Sequence, residues 1–179
     1  MKQLIKNPIT LGLLALCAVA QTYLHADNIR ITVVNTAPEM GTSLTPVWIG
    51  FHDGTSDTFD VASKASDAIE RIAEDGNNAP LRAWFKSTMP EGKDLVLTGM
   101  DNLGGPPLHF PQRGNSIIIN LDGSNMAHRY MSFVSMILPS NDAFIGNDDP
   151  MALPIYDNNG NFVGGTWDIT GDQVLDAGT

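Results

Sequence analysis

The sequence predicts an all-β fold, an antiparallel β-sandwich with short helical insertions between its strands. Short β-branched or continuously apolar segments outnumber helical patterns about seven to two. The 11 prolines and 17 glycines supply many turns, as is typical of β-rich proteins. Strand and helix patterns do not alternate regularly, as they would in a parallel sheet. With 179 residues, 42% of them hydrophobic, the chain is large enough for one domain with its own core.

The first 26 residues are predicted to be a secretory signal peptide. Lys2 and Lys6 precede an apolar run that ends at Ala20, and small residues follow. This run of about 12 residues is too short to cross the ~30 Å hydrocarbon core of a bilayer as a helix. Cleavage is predicted after Ala20 or after Ala26, which leaves residues 27–179 as a single domain without a membrane span.

The charge of this domain limits the classes of partner that it can bind. The chain has 10 basic and 20 acidic residues, and loss of Lys2 and Lys6 leaves 8 against 20, a formal charge of −12. Phosphate binding requires Lys and Arg, so such a surface disfavours nucleic acid and anionic membranes. The single cysteine, Cys17, lies in the signal segment, and Leu16 before it is too large for a lipoprotein signal. The domain must therefore be held by its core, by bound metal or by both, and its acidity suits Ca²⁺.

Five of the predicted strands have clear bounds, and the last of these is expected to lie at the centre of the sheet. In chain order they are residues 29–35, 47–52, 94–99, 115–122 and 129–138. The segment 129–138 carries mostly apolar residues at both alternating sets of positions, which indicates burial on both faces. Phe133, Val134 and Ile137 are therefore predicted to be buried, surrounded by Ile117, Ile119, Val33 and Trp48. The sequence DNNGN, residues 157–161, predicts a hairpin turn into the segment that follows.

Two short helices are predicted between the second and third strands. The first lies between an N-cap at Ser66 and a stop at Gly76, because its apolar residues share one face. The second is predicted to be capped by Asn78. Its inward-facing residues are expected to be Leu81, Trp84 and Phe85.

Motifs of known catalytic chemistry do not occur in the sequence. It has no Gly-x-Ser-x-Gly elbow, no His-Glu-x-x-His pair and no phosphate-binding Gly-Lys-Ser/Thr loop. His52, His109 and His128 are far apart and each lies beside a turn, so they are predicted to be loop or surface histidines. A Ser-His-Asp triad assembled in space stays open as an alternative.

The sequence SMILPSNDAFIGNDDP, residues 135–150, leads from an apolar strand into Asp142, Asp148 and Asp149 without a basic residue. Like charges this close repel, so they either point into water or share a cation. The DNNGN segment is not an EF-hand, because Phe162 stands where that loop needs glycine. A β-sandwich can still bind calcium at one end, where loops bring distant carboxylates together.

Two motifs in this part of the chain carry a resemblance to a known family. SMILPSNDAFIG, residues 135–146, and the terminal LDAGT, residues 175–179, resemble the spondin domain, found near the N-terminus of F-spondin and mindin and in many bacterial secreted proteins. The family patterns Pro-Ser-x-Asp-(aromatic or Ala)-Phe-x-Gly and Asp-Ala-Gly-Thr occur in this order near the end of the domain. TPVWIGFHDG and MAHRYMSFVSMILPS also match family strands, so the resemblance covers residues 29–179.

The resemblance implies a C2-like β-sandwich with a calcium site at one end. In animal members the side-chain ligands are the Asp of the first motif, the Asp of the second motif and an acid directly after its Thr. These positions correspond to Asp142 and Asp176, while the third has no counterpart because the sequence stops at Thr179. Truncation of the domain at its C-terminal end is thus left open. Asp148 and Asp149 are expected to be solvated loop residues, or an outer rim that raises the negative potential.

The sequence therefore predicts a secreted or periplasmic, non-catalytic calcium-binding module of the adhesion or matrix-interaction type. Its ligand would be an extracellular protein or glycan. Two other classes of function stay open. A secreted hydrolase of polysaccharide or ester bonds would need a cleft, for example one lined by His109, Asp122 and a serine. A structural domain of a cell-envelope assembly would need a partner protein.

Overall fold

The computed structural model describes residues 26–38, 41–98 and 115–178. Eight strands and two α-helices make up this part of the chain. The strands are β1 (Ala26–Val33), β2 (Ser43–Leu44), β3 (Val47–His52), β4 (Lys93–Leu97), β5 (Asn115–Asp122), β6 (Tyr130–Leu138), β7 (Ala143–Gly146) and β8 (Leu175–Asp176), and the helices are α1 (Asp67–Asp75) and α2 (Ala79–Thr88). Single 3₁₀ turns lie at Met126–His128 and Gly171–Gln173.

The strands form two antiparallel sheets, as the predicted all-β fold requires. The larger sheet has the order β4-β3-β6-β7-β8, with β2 also paired to β6, and the smaller sheet consists of β1 and β5. The smaller sheet packs on one face of the larger one, and α1 and α2 pack on the other face. The domain is therefore sandwich-like on one side and helix-covered on the other.

Strand β6 is the central strand, as predicted. It pairs with β3 along one edge and with β7 along the other. Val134 and Ile137 are buried, and so is Trp48 opposite Val134. Phe133 was predicted to be buried, but its side chain is only half-buried against the smaller sheet. The reason is that two strands cannot cover the whole of that face.

The edge of β6 that pairs with β3 is interrupted at Thr45 and Pro46. Strand β2 and strand β3 follow each other along this edge, and the chain between them departs from the ladder. Pro46 has no N–H to donate to the ladder. The Met136 N–H, which a regular ladder would pair with a carbonyl, donates to Thr45 Oγ1 at 3.2 Å. Ser135 Oγ donates to the Thr45 carbonyl at 3.0 Å. Buried hydroxyls thus complete hydrogen bonds that a regular ladder would make.

The helices form where the sequence predicts them, but only one of them is capped as predicted. The Ile69 N–H donates to Ser66 Oγ at 3.4 Å, and Gly76 ends α1 in the left-handed conformation with a φ of 65°. Asn78 does not cap α2, because its side-chain amide donates to the Pro46 carbonyl at 2.9 Å instead. Asn77 Oδ1 accepts from the N–H of the first helical residue.

Three strands were not predicted from the sequence, and one predicted hairpin is reduced to a single bridge. Strands β2, β7 and β8 are only two to four residues long, below the length at which a period-2 pattern is visible. The turn at residues 157–161 forms around Asp157, whose Oδ1 accepts from the Asn159 and Asn161 N–H groups. Beyond it, Tyr156 and Phe162 make one isolated bridge.

The predicted signal peptide lies outside the described residues up to His25, and His109 lies outside them as well. Ala26, after which one predicted cleavage falls, is the first residue of β1. Within the described ranges, no helix has the length and apolar character needed to cross a membrane.

Candidate functional site

The turn that leaves the central strand contains the first predicted metal ligand. After β6 ends at Leu138, the hydroxyl of Ser140 donates to the Ile137 carbonyl at 2.5 Å and accepts from the Ala143 N–H at 3.1 Å. Ser140 therefore joins the end of β6 to the start of β7. This local network fixes the path of the chain through Asp142, which is half-buried.

Strand β8 brings the second predicted ligand next to this turn. Ala143 lies opposite Asp176, and Phe144 lies opposite Leu175. The Ala177 N–H donates to the Asp142 carbonyl at 3.1 Å, which extends the ladder by one pair. The two motifs that carry the family resemblance therefore lie side by side at one end of the larger sheet.

The register of this ladder sets the directions of the two carboxylates. Asp142 is opposite Ala177, so it is one residue out of step with Asp176. Successive side chains on a strand point to opposite faces of the sheet, so Asp142 and Asp176 start out toward opposite faces. To bind one ion, both carboxylates would have to turn toward the open end of the ladder. Asp176 is exposed, and its Oδ1 accepts from the Gly178 N–H at 2.7 Å.

The donor chemistry at this end of the sheet suits Ca²⁺, because carboxylate and carbonyl oxygens are the ligands that it prefers. Two carboxylates would supply part of a shell of six to eight oxygens, and carbonyls and water would supply the rest. Among the residues that the structure describes, no three His, Cys, Asp or Glu side chains come close enough to hold a metal ion together.

Asp148 and Asp149 are exposed, and the carboxylate of each accepts a hydrogen bond from a backbone N–H. Asp148 Oδ1 accepts from the Val61 N–H at 2.7 Å, so it anchors the distant loop of residues 57–63. Asp149 Oδ1 accepts from the Met151 N–H at 2.8 Å, which is the turn chemistry expected of an aspartate before a proline. The contact from Asp148 to Val61 could not be predicted from local sequence, because 87 residues separate the two.

The same loop adds acidic residues to this end of the molecule. Partial burial raises the pKa of Asp57, and the neighbouring carboxylates of Asp60, Asp148 and Asp149 raise it further. Residues from two segments therefore form an acidic rim at this end of the domain, and its effect on the potential stays a prediction. The segment before Asp60 was assigned no role from the sequence. Its aspartates at 53, 57 and 60, unaccompanied by a basic residue, were the signal that could have identified this rim.

A shallow pocket of about 160 Å³ lies between this loop and the edge strand β8. Ile69 and Phe144 are buried in its floor, while Asp60 and Asp176 are exposed at its rim. Asp176 lies on the edge strand β8. It therefore borders the loop that passes this edge of the sheet. Asp142 does not line the pocket.

The prediction is wrong for His52, which is buried at the end of a strand. His128 lies in a turn as predicted, but its side chain is buried as well. The position of His52 beside a turn was misleading, since it is also the last residue of β3, which is buried along its whole length. Its Nε2 lies 2.9 Å from Ser132 Oγ, and its Nδ1 lies 3.1 Å from the Gly54 N–H. Burial lowers the pKa of His52 to about 4, although the charge of Asp53 opposes this shift.

The hydrogen bonds of His52 define its tautomer. Nδ1 accepts from the Gly54 N–H, so the proton of the neutral ring is on Nε2, which donates to Ser132 Oγ. Asn147 Nδ2 donates to the same oxygen at 3.1 Å. A catalytic histidine must accept the serine proton, and the His52–Ser132 pair has the opposite polarity. It is a buried structural network that joins β3 to β6.

The second buried histidine is also tied to the backbone. His128 Nδ1 lies 3.0 Å from the Asp122 N–H and 3.1 Å from its carbonyl, and burial lowers the pKa of the ring. The Asp122 carboxylate accepts from the N–H and the hydroxyl of Ser124. These contacts hold the turn after β5. The cleft that would indicate a hydrolase required His109 as well, which lies outside the described residues.

The comparisons with known proteins do not assign the chain to a family. No protein-family model matches the sequence, and no curated protein matches it.

Proposed function

We propose that the chain is an exported, non-catalytic calcium-binding module of the spondin type. It would have a C2-like β-sandwich and would act in adhesion or matrix interaction by binding an extracellular protein or glycan. The observation that supports this most directly is the β7–β8 ladder. In this ladder Asp142 and Asp176, which are 34 residues apart in the sequence, lie on neighbouring segments at one end of the larger sheet.

Three further features agree with this proposal. The formal charge of the chain is −10, which attracts divalent cations. The anchored loop of residues 57–63 adds Asp57 and Asp60 to the acidic end of the domain. The chain between the two motifs is tied back to the domain, since the Ile155 N–H donates to the Arg129 carbonyl at 2.8 Å. This hydrogen bond fixes the segment between β7 and β8 to the chain just before β6.

Calcium should stabilise the folded protein weakly. With two carboxylates, the dissociation constant is expected in the range of extracellular modules, about 10⁻⁴ to 10⁻³ M. Binding to the folded state alone then adds roughly 1.4–2.7 kcal/mol to the free energy of unfolding at ~10 mM Ca²⁺. Urea denaturation with ~10 mM CaCl₂, against NaCl of equal ionic strength, measures this gain.

Matched variants make the experiment specific. Asp142→Asn should abolish the gain, because it removes the charge and keeps the shape of the side chain. Asp176→Asn should do the same, since asparagine can still accept from the Gly178 N–H through Oδ1. Asp168→Asn changes an exposed acid that does not line the pocket, and it should leave the gain intact. An equal calcium response in all four proteins would show that Asp142 is only a surface acid.

Export is tested separately. The mature protein should begin near Gln21 or Asp27, with no lipid attached. N-terminal sequencing and mass spectrometry of exported material measure this directly. A mature chain that starts at a diacylated Cys17, or one that retains the first 20 residues, would contradict the proposal.

A further inference from the structure

The pocket beside β8 has a floor and a rim of different chemistry. Its lining residues are Phe59, Asp60, Val61, Ala62, Ser63, Ala65, Ile69, Phe144, Leu175 and Asp176. The buried and half-buried members are all apolar, and two of them are aromatic. The exposed members include two aspartates, Asp60 and Asp176. An apolar floor below an acidic rim selects a ligand that has an apolar part and a positive charge.

The loop that forms one wall of the pocket is fixed from three directions. The ring of Phe59 packs edge-to-face on Phe144, with ring centroids 5.2 Å apart. A Cβ added at Gly146 would lie 2.8 Å from the Phe59 ring, so glycine at this position allows the ring to cover β7. Val61 is held by its hydrogen bond to Asp148, and Ala62 adopts a positive φ of 68°. The wall is therefore preformed, and its backbone conformation is one that L-residues rarely adopt.

The size of the pocket limits its ligand to a single side chain. Its volume of about 160 Å³ is well below the ~300–1,000 Å³ of pockets that take drug-sized ligands or cofactors. A lysine side chain has a flexible aliphatic stem and a compact ammonium group, and such stems pack along apolar surface while the charge stays at the edge. Aromatic rings near an ammonium group add a favourable cation–π contact.

We propose that this pocket binds the alkylammonium side chain of a lysine on a partner protein. The stem would pack on the floor that Phe59, Ile69 and Phe144 provide, and the ammonium group would lie between Asp60 and Asp176. Charge complementarity supports this occupant, because the chain is strongly acidic overall, with a formal charge of −10. Lys64, which is close to the rim in sequence, is directed toward Glu70 Oε1 at 3.8 Å.

This site goes beyond the proposed calcium site and does not depend on it. The two share Asp176, but Asp60 lines only the pocket and Asp142 lies only at the motif turn. Variants of these two residues therefore separate the two proposals. Asp142→Asn tests the calcium site alone, and Asp60→Asn tests the lysine site alone.

The experiment is an NMR titration of the protein without calcium. The probe is the peptide acetyl-Gly-Lys-Gly-amide, and the control peptide carries Nε-acetyl-lysine, which keeps the stem and removes the charge. Amide signals of Val61, Ser63 and Leu175 report the pocket. The control variant is Asp168→Asn, which loses the same charge as Asp60→Asn.

The lysine peptide should shift the pocket signals saturably, with a dissociation constant on the order of 1 mM, as expected for one side chain in a small site. The acetylated peptide should shift them little. Asp60→Asn should weaken binding by up to about fivefold, which is the upper range for an exposed ion pair. Asp168→Asn should bind like the unmodified protein.

Three results would overturn this proposal. Equal shifts with both peptides would show that the charge is not recognised. Equal weakening in Asp60→Asn and Asp168→Asn, or shifts spread over the acidic surface rather than at the pocket, would show that only the net charge of the protein attracts the peptide.

Discussion

The two faces of the larger sheet are covered in different ways. On one face, β1 and β5 contribute alternating β-branched residues, and several of these, such as Ile31 and Ile119, are only half-buried. On the other face, α1 and α2 bury large side chains completely, among them Ile69, Ile72 and Phe85. Three buried polar side chains, those of His52, Ser132 and Asp94, also lie on the helix-covered side.

The segments that are clear in the sequence are not always the ones whose side chains are most completely buried. Strand β5, whose bounds were predicted from the sequence, belongs to the two-stranded sheet, which covers its face of the larger sheet only in part. The helix-covered face holds the aromatic cluster of Trp48 and Phe85, whose rings meet edge-to-face at 5.3 Å, and it provides the floor of the pocket through Ile69 and Phe144. We therefore expect the loss of a ring from this cluster to cost more stability than the loss of a half-buried ring from the other face.

The largest expected effect tests this asymmetry with two phenylalanines. Phe85→Ala removes a fully buried ring and should lower the free energy of unfolding by ~3–5 kcal/mol, as large-to-small core substitutions do. Phe133→Ala removes a half-buried ring on the other face and should cost roughly 1–3 kcal/mol. Urea denaturation of both variants measures the difference. A larger loss for Phe133→Ala would show that the smaller sheet provides the main core.

The second effect is a loss of stability on acidification that originates from His52. Burial lowers the pKa of this ring to about 4, whereas an unfolded histidine titrates near pH 6.5. Between these values the unfolded chain binds a proton that the folded chain does not, so the free energy of unfolding falls as the pH falls. The loss is about 1.4 kcal/mol per pH unit and roughly 2–4 kcal/mol in total.

A variant isolates this contribution from other titrating groups. His52→Gln keeps an amide that can donate to Ser132, and it removes the titration. Its free energy of unfolding at pH 7 should be lower, but it should fall less steeply between pH 6.5 and 4 than that of the unmodified protein. Parallel pH profiles for the two proteins would assign the acid sensitivity to other groups, such as His128.

The smallest effect compares a partly buried ion pair with an exposed one. Asp94 Oδ2 accepts from Arg82 Nε at 2.6 Å and from Trp48 Nε1 at 3.3 Å, and its side chain is only 5% exposed. Asp94→Asn should cost about 1–3 kcal/mol, because it removes the charge from buried hydrogen bonds. Asp75→Asn, which breaks an exposed pair with Arg71, should cost less than about 0.5 kcal/mol. Equal losses in urea denaturation would mean that Asp94 is effectively solvated.

Much of the fold could be predicted from local pattern. The bounds predicted for β3 and β5 agree with the structure, and α1 was recognised from its cap and its glycine stop. Strands β7 and β8 were not, because a period of two cannot be read from two to four residues and their pairing depends on contacts distant in the sequence. Asn78 was misassigned because a distant carbonyl, that of Pro46, competes for its side chain.

The candidate site was only partly predictable. The motif resemblance drew attention to Asp142 and Asp176, and the structure brings their segments together. Asp60 was missed because its proximity to β8 arises from a loop that Asp148 and Phe144 hold in place. His52 was misread because the rule that turn residues are exposed conflicted with the continuous apolar run of β3, and burial of the strand prevailed.

The pairing of the first and fifth strands has a consequence for the order of folding. Thr32 and Ser116, which face each other across the smaller sheet, are 84 positions apart. The central strand comes later still, at Tyr130–Leu138. A ribosome therefore releases the first strand long before its partners exist, and contacts this distant in sequence form slowly. Throughout most of its synthesis the chain therefore has no complete sheet to close.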